Sequence, residues 1–228
     1  MFKQIKEWAE EKQELRTRRE LERDERLREL FERDPIADQT KWSPLVSGGA
    51  NFKTRELVQT QPDRLSFKAT GSSKLFTAFF VGLSLVTVLG GLAVEEGSIL
   101  LIIGSIFLIA SIFLFRHSTQ PIVFDQTLGL HWKGTLHPRD SAESASGATR
   151  FFDIHAIQII SELVRSSSSS STSSRSRRET RYYYSYELNL VLKDGSRVNV
   201  IDHGDRQAVR ADAAQVGAFI GVPVWDAT

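Results

Sequence analysis

Two apolar runs, Leu75 to Val94 and Ser98 to Phe115, contain no charged residue and are separated only by Glu95, Glu96 and Gly97. At about 1.5 Å of rise per helical residue they reach roughly 30 Å and roughly 27 Å, matching a hydrocarbon core of about 30 Å. The runs predict a transmembrane helical hairpin over 75–115. No ionisable group interrupts either one, which argues against an ion or proton path through the hairpin itself. Ala78, Gly82, Ser84, Gly90, Gly91, Gly104, Ser105, Ala110 and Ser111 offer small faces, and Ala78 with Gly82 has small-xxx-small spacing. Those faces suit either packing of the two helices on each other or a homo-oligomer.

Orientation follows from the flanking bases. Arg64, Lys68 and Lys74 precede the hairpin, Arg116 and Lys133 follow it, and the turn carries no Lys or Arg. By the positive-inside rule both termini face the cytoplasm, as in an integral protein of a bacterial inner (plasma) membrane. The opening MFKQIKEWAEEKQELRTRRE lacks the apolar stretch of a signal peptide, which predicts that the amino terminus is retained. The 41% apolar content and the net charge of +1 average over one apolar block and a polar remainder. With no cysteine, a disulfide, a thiolate nucleophile and a cysteine metal knuckle are excluded, and a reducing compartment is compatible.

Residues 1–34 alternate acids and bases. Glu14 and Arg18, Glu22 and Arg26, Asp24 and Arg28, and Glu29 and Arg33 are four apart with the acid first, the better order for a helix. An exposed, charged amphipathic helix is expected. Its apolar positions keep no strict heptad, which disfavours a long coiled coil. Trp8 clusters with Phe2 and Ile5 beside Lys3 and Lys6, a face suited to a lipid interface or a protein partner. Asp34 and Pro35 end the helix, and 35–50 reads as a linker.

From residue 51 the period becomes strand-like. Residues 51–70 contain two strands about the turn QPDR, and a lone two-stranded hairpin is marginal in water, so partners are expected beyond the membrane segment. They are found in 121–226: PIVFD and QTLGLHWKG, FFDIHAIQIISELV, then YYYSYELNLVLKDGSRVNVID, whose Asp194 and Gly195 suit a tight turn. That makes roughly seven strands. A helix from about Asp205 to Ile220 follows, capped by Asp205 and stopped by Gly221 and Pro223.

Seven strands and a terminal helix, with FFDIHAIQII, LNLVLKDGSRVNVI and the helix after DHGD as local cues, resemble the pleckstrin-homology-like (PH-like) fold of bacterial membrane-anchored proteins. The resemblance covers about Phe52 to Trp225. It implies an α+β membrane protein: a seven-stranded antiparallel PH-like sheet with a C-terminal helix, interrupted between its second and third strands by the transmembrane hairpin. Neither half has enough strands for its own core.

RSSSSSSTSSRSRRETR, at 165–181, has almost no apolar side chain and is expected to be a disordered loop. Arg165, Arg175, Arg177, Arg178 and Arg181 outweigh Glu179, so beside an anionic leaflet each base that reaches the surface gains roughly 1 kcal/mol. The readings left open are a solvated linker, or contact with lipid or, less favoured, nucleic acid. HPRDSAESASGATR looks equally unstructured.

Chemistry is sparse. His131, His137, His155 and His203 lack metal-ligand spacing. Asp202, His203 and Asp205 with Asn189 and Asn199 form the densest polar group, which fits an acid–base site or, more simply, a turn and helix cap. No GxSxG, GxxxxGK or GxGxxG occurs. The expectation is a non-enzyme with no catalytic, cofactor-binding or metal residues, presenting a cytoplasmic interaction or scaffold domain to protein partners or membrane lipid. The alternative is an accessory subunit of a membrane enzyme or transporter whose site another chain completes.

Overall fold

The computed structural model describes residues 2–49, 51–135, 147–168 and 179–228. Its chain begins with the charged helix α1 (Phe2–Arg33). Asp34 ends it, and the same carboxylate accepts from Ile36 N at 3.0 Å to cap the short α2 (Pro35–Gln39), whose proline occupies the first turn where no N–H is needed.

Two sheets form the body. The first has the order β1 (Arg55–Gln61), β2 (Arg64–Ala69), β3 (Ile122–Asp125), β4 (Leu130–Lys133), β5 (Thr149–Arg150), antiparallel throughout. The second runs β8 (Arg197–His203), β7 (Glu179–Leu192), β6 (Ile154–Ser168), β9 (Val224–Asp226), with β9 parallel to β6. Alternating residues point between the sheets: Leu65, Phe67 and Phe124 from one, Ile157, Ile159, Leu188 and Leu190 from the other. The helix α5 (Arg206–Ile220) closes this core with Val209, Ala213 and Val216, the apolar face expected of it. Seven of the nine strands are the ones anticipated, divided between two sheets. β5 and β9, of two and three residues, were too short for any sequence periodicity to show.

Between β2 and β3 the chain leaves the sheet as α3 (Gly71–Ala93) and α4 (Ser98–Thr119), both long and apolar enough to cross a membrane. β2 and β3 are nonetheless direct neighbours, from Arg64 opposite Asp125 to Phe67 opposite Ile122. The helices pack on each other through small residues: the Ser84 and Ser111 hydroxyls lie 2.9 Å apart, and a Cβ at Gly91 would stand 2.8 Å from Leu101 N. A Cβ at Gly104 would stand 3.0 Å from Val88. Ala78 and Gly82 face outward, and nothing lies within 4 Å of a Cβ built at Gly82.

Two expected boundaries are corrected. Strand pairing runs on into the supposed disordered loop, to Ser168 opposite Glu179, because a ladder of backbone hydrogen bonds needs no apolar side chains. β8 pairs only with Tyr186–Val191 and β9 only with Ile157–Ile159, so the outer half of β6 and β7 projects as a two-stranded ribbon. Residues 169–178 and 136–146, the remainder of the two expected loops, lie outside the described residues.

Over residues 35–49 the supposed linker is the short α2 followed by a docked strap. Trp42 donates from Nε1 to Ala37 O at 2.9 Å and packs its ring 5.8 Å from both Phe31 and Trp225. Beyond it the strap crosses the outer face of the second sheet, where polar side chains meet its backbone. Gln158 Nε2 and Arg197 donate to the Lys41 and Ser43 carbonyls at 3.2 and 2.8 Å, while the Glu187 carboxylate accepts from Leu45 N and Val46 N at 2.8 and 3.2 Å. Glu162 accepts from Gly48 N and Tyr183 donates to Gly49 O. Composition suggested a linker; the matching partners sit more than a hundred residues away.

Trp225 is 3% exposed and holds both the strap and the end of α1. Trp225→Ala should destabilise the domain by about 3–5 kcal/mol, as for other buried large-to-small changes. Limited proteolysis in detergent should then show cleavage within 40–50 that is slow in the parent protein.

Candidate functional site

At the corner where the sheets approach, the start of β1 meets the end of β8. Thr54 Oγ1 donates to Asp202 O at 3.3 Å and Gly204 N to Phe52 O at 3.4 Å. A cleft of about 300 Å³ opens there, lined by Arg55, Lys133, Asn199, Asp202 and the strap residues Gly48 and Gly49. Register explains the meeting of the two bases. Leu57, Phe67, Ile122 and Lys133 lie opposite one another across β1 to β4, and Arg55 stands two residues before Leu57 on the same face.

The cleft has two electrical sides. Burial lowers the Arg55 pKa; Lys133 is lowered by burial and then by repulsion from Arg55. Asp202 is pushed the other way, chiefly by burial and further by Glu187 and Glu162, against a hydrogen bond from Asn199. Among the described residues neither Arg55 nor Lys133 has a carboxylate partner. The guanidinium of Arg55 instead donates to Ser118 O at 3.0 Å and to Gln120 O, the carbonyls at the end of α4. The cleft therefore abuts the base of the apolar hairpin.

The polar group singled out in the sequence divides in two. Asp205 Oδ1 accepts from Gln207 N and Ala208 N at 2.8 and 3.1 Å and so caps α5, while His203 Nδ1 accepts from Asp205 N at 2.9 Å. Burial, then Lys53, lowers the His203 pKa, and its buried Nε2 has no partner among the described residues. Asn199 donates to Glu187, beside the buried Asn189, beneath the strap. Asp202, with Asn199 donating to its Oδ1 at 3.3 Å, lines the cleft. The histidines are scattered: His155 Nε2 meets Asp34 Oδ2 at 2.7 Å, His131 is buried against Phe124, and His137 lies outside the described residues. Among the described residues no three potential metal ligands converge.

Arg165 stands exposed on the ribbon opposite Tyr182, and Arg181 pairs in register with Ser166. Arg175, Arg177 and Arg178 lie outside the described residues, as do the side chains of Arg181 and of Trp8, which stands in the first turns of α1. A second cleft, about 230 Å³, separates α1 from the ribbon between Glu20, Arg23, Leu163 and Tyr184. Beside it Arg26 and Arg210 each donate to Thr228 O at 3.1 Å, tying α1 to α5.

Arg55 went unnoticed in the sequence, and Lys133 counted there only as a flanking base. The signal that joins them is register: a cation at the first position of one strand and at the last of another, with two strands between them. It became readable once the strands were paired. No protein-family model matches the chain, and neither does any curated protein.

His131 packs its ring 4.4 Å from Phe124, and burial, opposed by a backbone hydrogen bond at Val123, lowers its pKa from 6.5 to about 4. The unfolded chain takes up this proton first as pH falls. The stability held by the neutral ring is therefore complete above about pH 6.5 and lost as pH falls toward 4, by about 3 kcal/mol. In His131→Leu the difference in unfolding free energy between pH 7 and pH 4.5, measured in detergent, should shrink by most of that amount.

Proposed function

We propose that this chain is a non-catalytic membrane-anchored interaction module. In this reading α3 and α4 cross the bilayer, and the two sheets with α1 form a PH-like domain held on one side of it. The observation that carries it is exposure. Only 17% and 11% of the apolar windows of α3 and α4 are buried within the molecule, and Phe79 and Phe113 are 62% and 71% exposed. Helices serving as a soluble core would be covered by the sheets; these meet water or lipid along most of their length.

The other features fit this placement. Lys74 and Arg116 flank the ends joined to the sheets, whereas the opposite turn holds two glutamates, in keeping with the positive-inside rule. β1 to β4 and β6 to β8 supply the seven strands expected of a PH-like domain, here in two sheets that also hold the short β5 and the parallel β9, and a closing helix follows β8. The ribbon of β6 and β7, with free edges beyond its neighbours, and the long charged α1 supply surfaces for protein partners.

The natural absence of cysteine makes the test direct. Glu96→Cys in the turn and Ser196→Cys in the β7–β8 turn, each placed alone in sealed vesicles, should react with an impermeant maleimide from opposite sides. Both proteins should resist extraction by alkaline carbonate. Labelling of both from one side, or release by carbonate, would overturn the reading.

A further inference from the structure

The cleft at the hairpin's base lies at a defined depth if the helices span the bilayer, and its proposed ligand rests on that reading. Arg55 grips Ser118 O, three residues beyond Phe115, where the apolar run ends. At 1.5 Å per helical residue this is about 4–5 Å outside the hydrocarbon, the level of lipid headgroups. The cleft therefore opens among phosphates and their substituents. Its volume of about 300 Å³ falls at the small end of ligand sites, whose range is roughly 300–1,000 Å³.

We infer that this cleft holds the headgroup of an amine-bearing phospholipid, with the phosphodiester against Arg55 and Lys133 and the ammonium against Asp202. Arg55 has donors to give, because a guanidinium carries five N–H bonds and the α4 carbonyls take two of them. Lys133 adds an ammonium with no acceptor among the described residues. Two cations facing one another without an acid repel, and a phosphodiester between them converts that repulsion into two charge-assisted contacts. On the other side, Asn199 Nδ2 reaches only Oδ1 of Asp202, at 3.3 Å, leaving Oδ2 for a cationic donor.

The carboxylate decides the class of lipid. A purely anionic headgroup would satisfy the bases and meet Asp202 as a like charge. A headgroup that ends in an ammonium matches both sides of the cleft. The directions of the three pKa shifts agree, since burial disfavours the charged form of each group and a zwitterion would favour all three charges.

The test uses the full chain in detergent and native mass spectrometry. Phosphatidylethanolamine and phosphatidylglycerol of equal chain length are offered together, with soluble glycerophosphoethanolamine as competitor. The parent protein should carry the ethanolamine lipid in roughly tenfold preference, the equivalent of one charge-assisted hydrogen bond. Lys133→Gln should weaken retention of both lipids, and Asp202→Asn should abolish the preference while phosphatidylglycerol is retained. Arg55 also holds α4, so it is left intact, and unchanged thermal unfolding of the two variants confirms their fold. Equal retention of the two lipids by the parent protein, or an unaltered lipid profile in either variant, would overturn the site. Displacement of lipid by an equal concentration of the soluble headgroup would assign the cleft to a free phosphodiester and overturn the lipid. Vesicle labelling at Glu96 and Ser196 reports the span independently, so failure there and failure of the cleft are separate results.

Discussion

The direct pairing of β2 with β3 is the constraint on which the rest of the molecule depends. The chain departs from one strand, runs through two long helices and returns to the neighbouring strand. Adjacent strands lie about 4.8 Å apart, whereas packed helix axes lie about 8–10 Å apart. The junctions must absorb the difference, and they are very short: Thr70 before α3, and Gln120 with Pro121 after α4. Side chains stiffen them. Thr70 N donates to Thr54 O and its hydroxyl caps α3 at Ser73 N, while Arg55 clamps the end of α4. Both clamps come from the start of β1, so the outermost strand of the first sheet secures both helices.

Much of this was legible because the elements concerned carry strong periodic signals. The apolar runs, the alternation in β7, and the cap and stop of α5 are local patterns that the folded chain repeats almost residue for residue. The strap was not legible. Residues 40–49 contain proline, serines and glycines and read as connector, and nothing near them indicates that Glu187, Glu162 and Arg197 bind their backbone. The polar positions of β6 to β8 misled in the complementary way. Glu187, Gln158 and Asn189 look like the solvated face of a sheet, yet all three are buried under the strap. A polar stripe on a strand reads the same whether water or a backbone segment will satisfy it.

The candidate cleft was hidden for a related reason. Catalytic and phosphate-binding signatures are recognised by short spacing, whereas Arg55, Lys133 and Asp202 belong to three strands and come together only through register. The residues favoured from sequence, the arginines of 165–181 and Trp8, were chosen by local charge and composition. The ribbon itself has a physical identity that composition could not supply. Serine and arginine are poor core formers and are still compatible with a paired backbone, so β6 and β7 extend past the point where apolar alternation stops.

In the proposed membrane placement two registers meet at the hairpin's base, and together they set the height of the domain. Within the proposed membrane placement, the bilayer positions the apolar runs, which begin at Leu75 and end at Phe115. The sheet positions the same helices through β2 and β3. Between the two frames each helix has one polar turn, Gly71 to Lys74 on α3 and Arg116 to Thr119 on α4, which at 1.5 Å per residue raises the sheet about 6 Å above the hydrocarbon. That height leaves room for headgroups and little else beneath β1 and β4. A one-residue slip of β2 against β3 would turn Phe67 out of the core, so the sheet cannot adjust to the bilayer by sliding. In that placement the cleft's level at the membrane is set by core packing rather than by the lipid, which is the condition for a headgroup to be recognised by position as well as by charge.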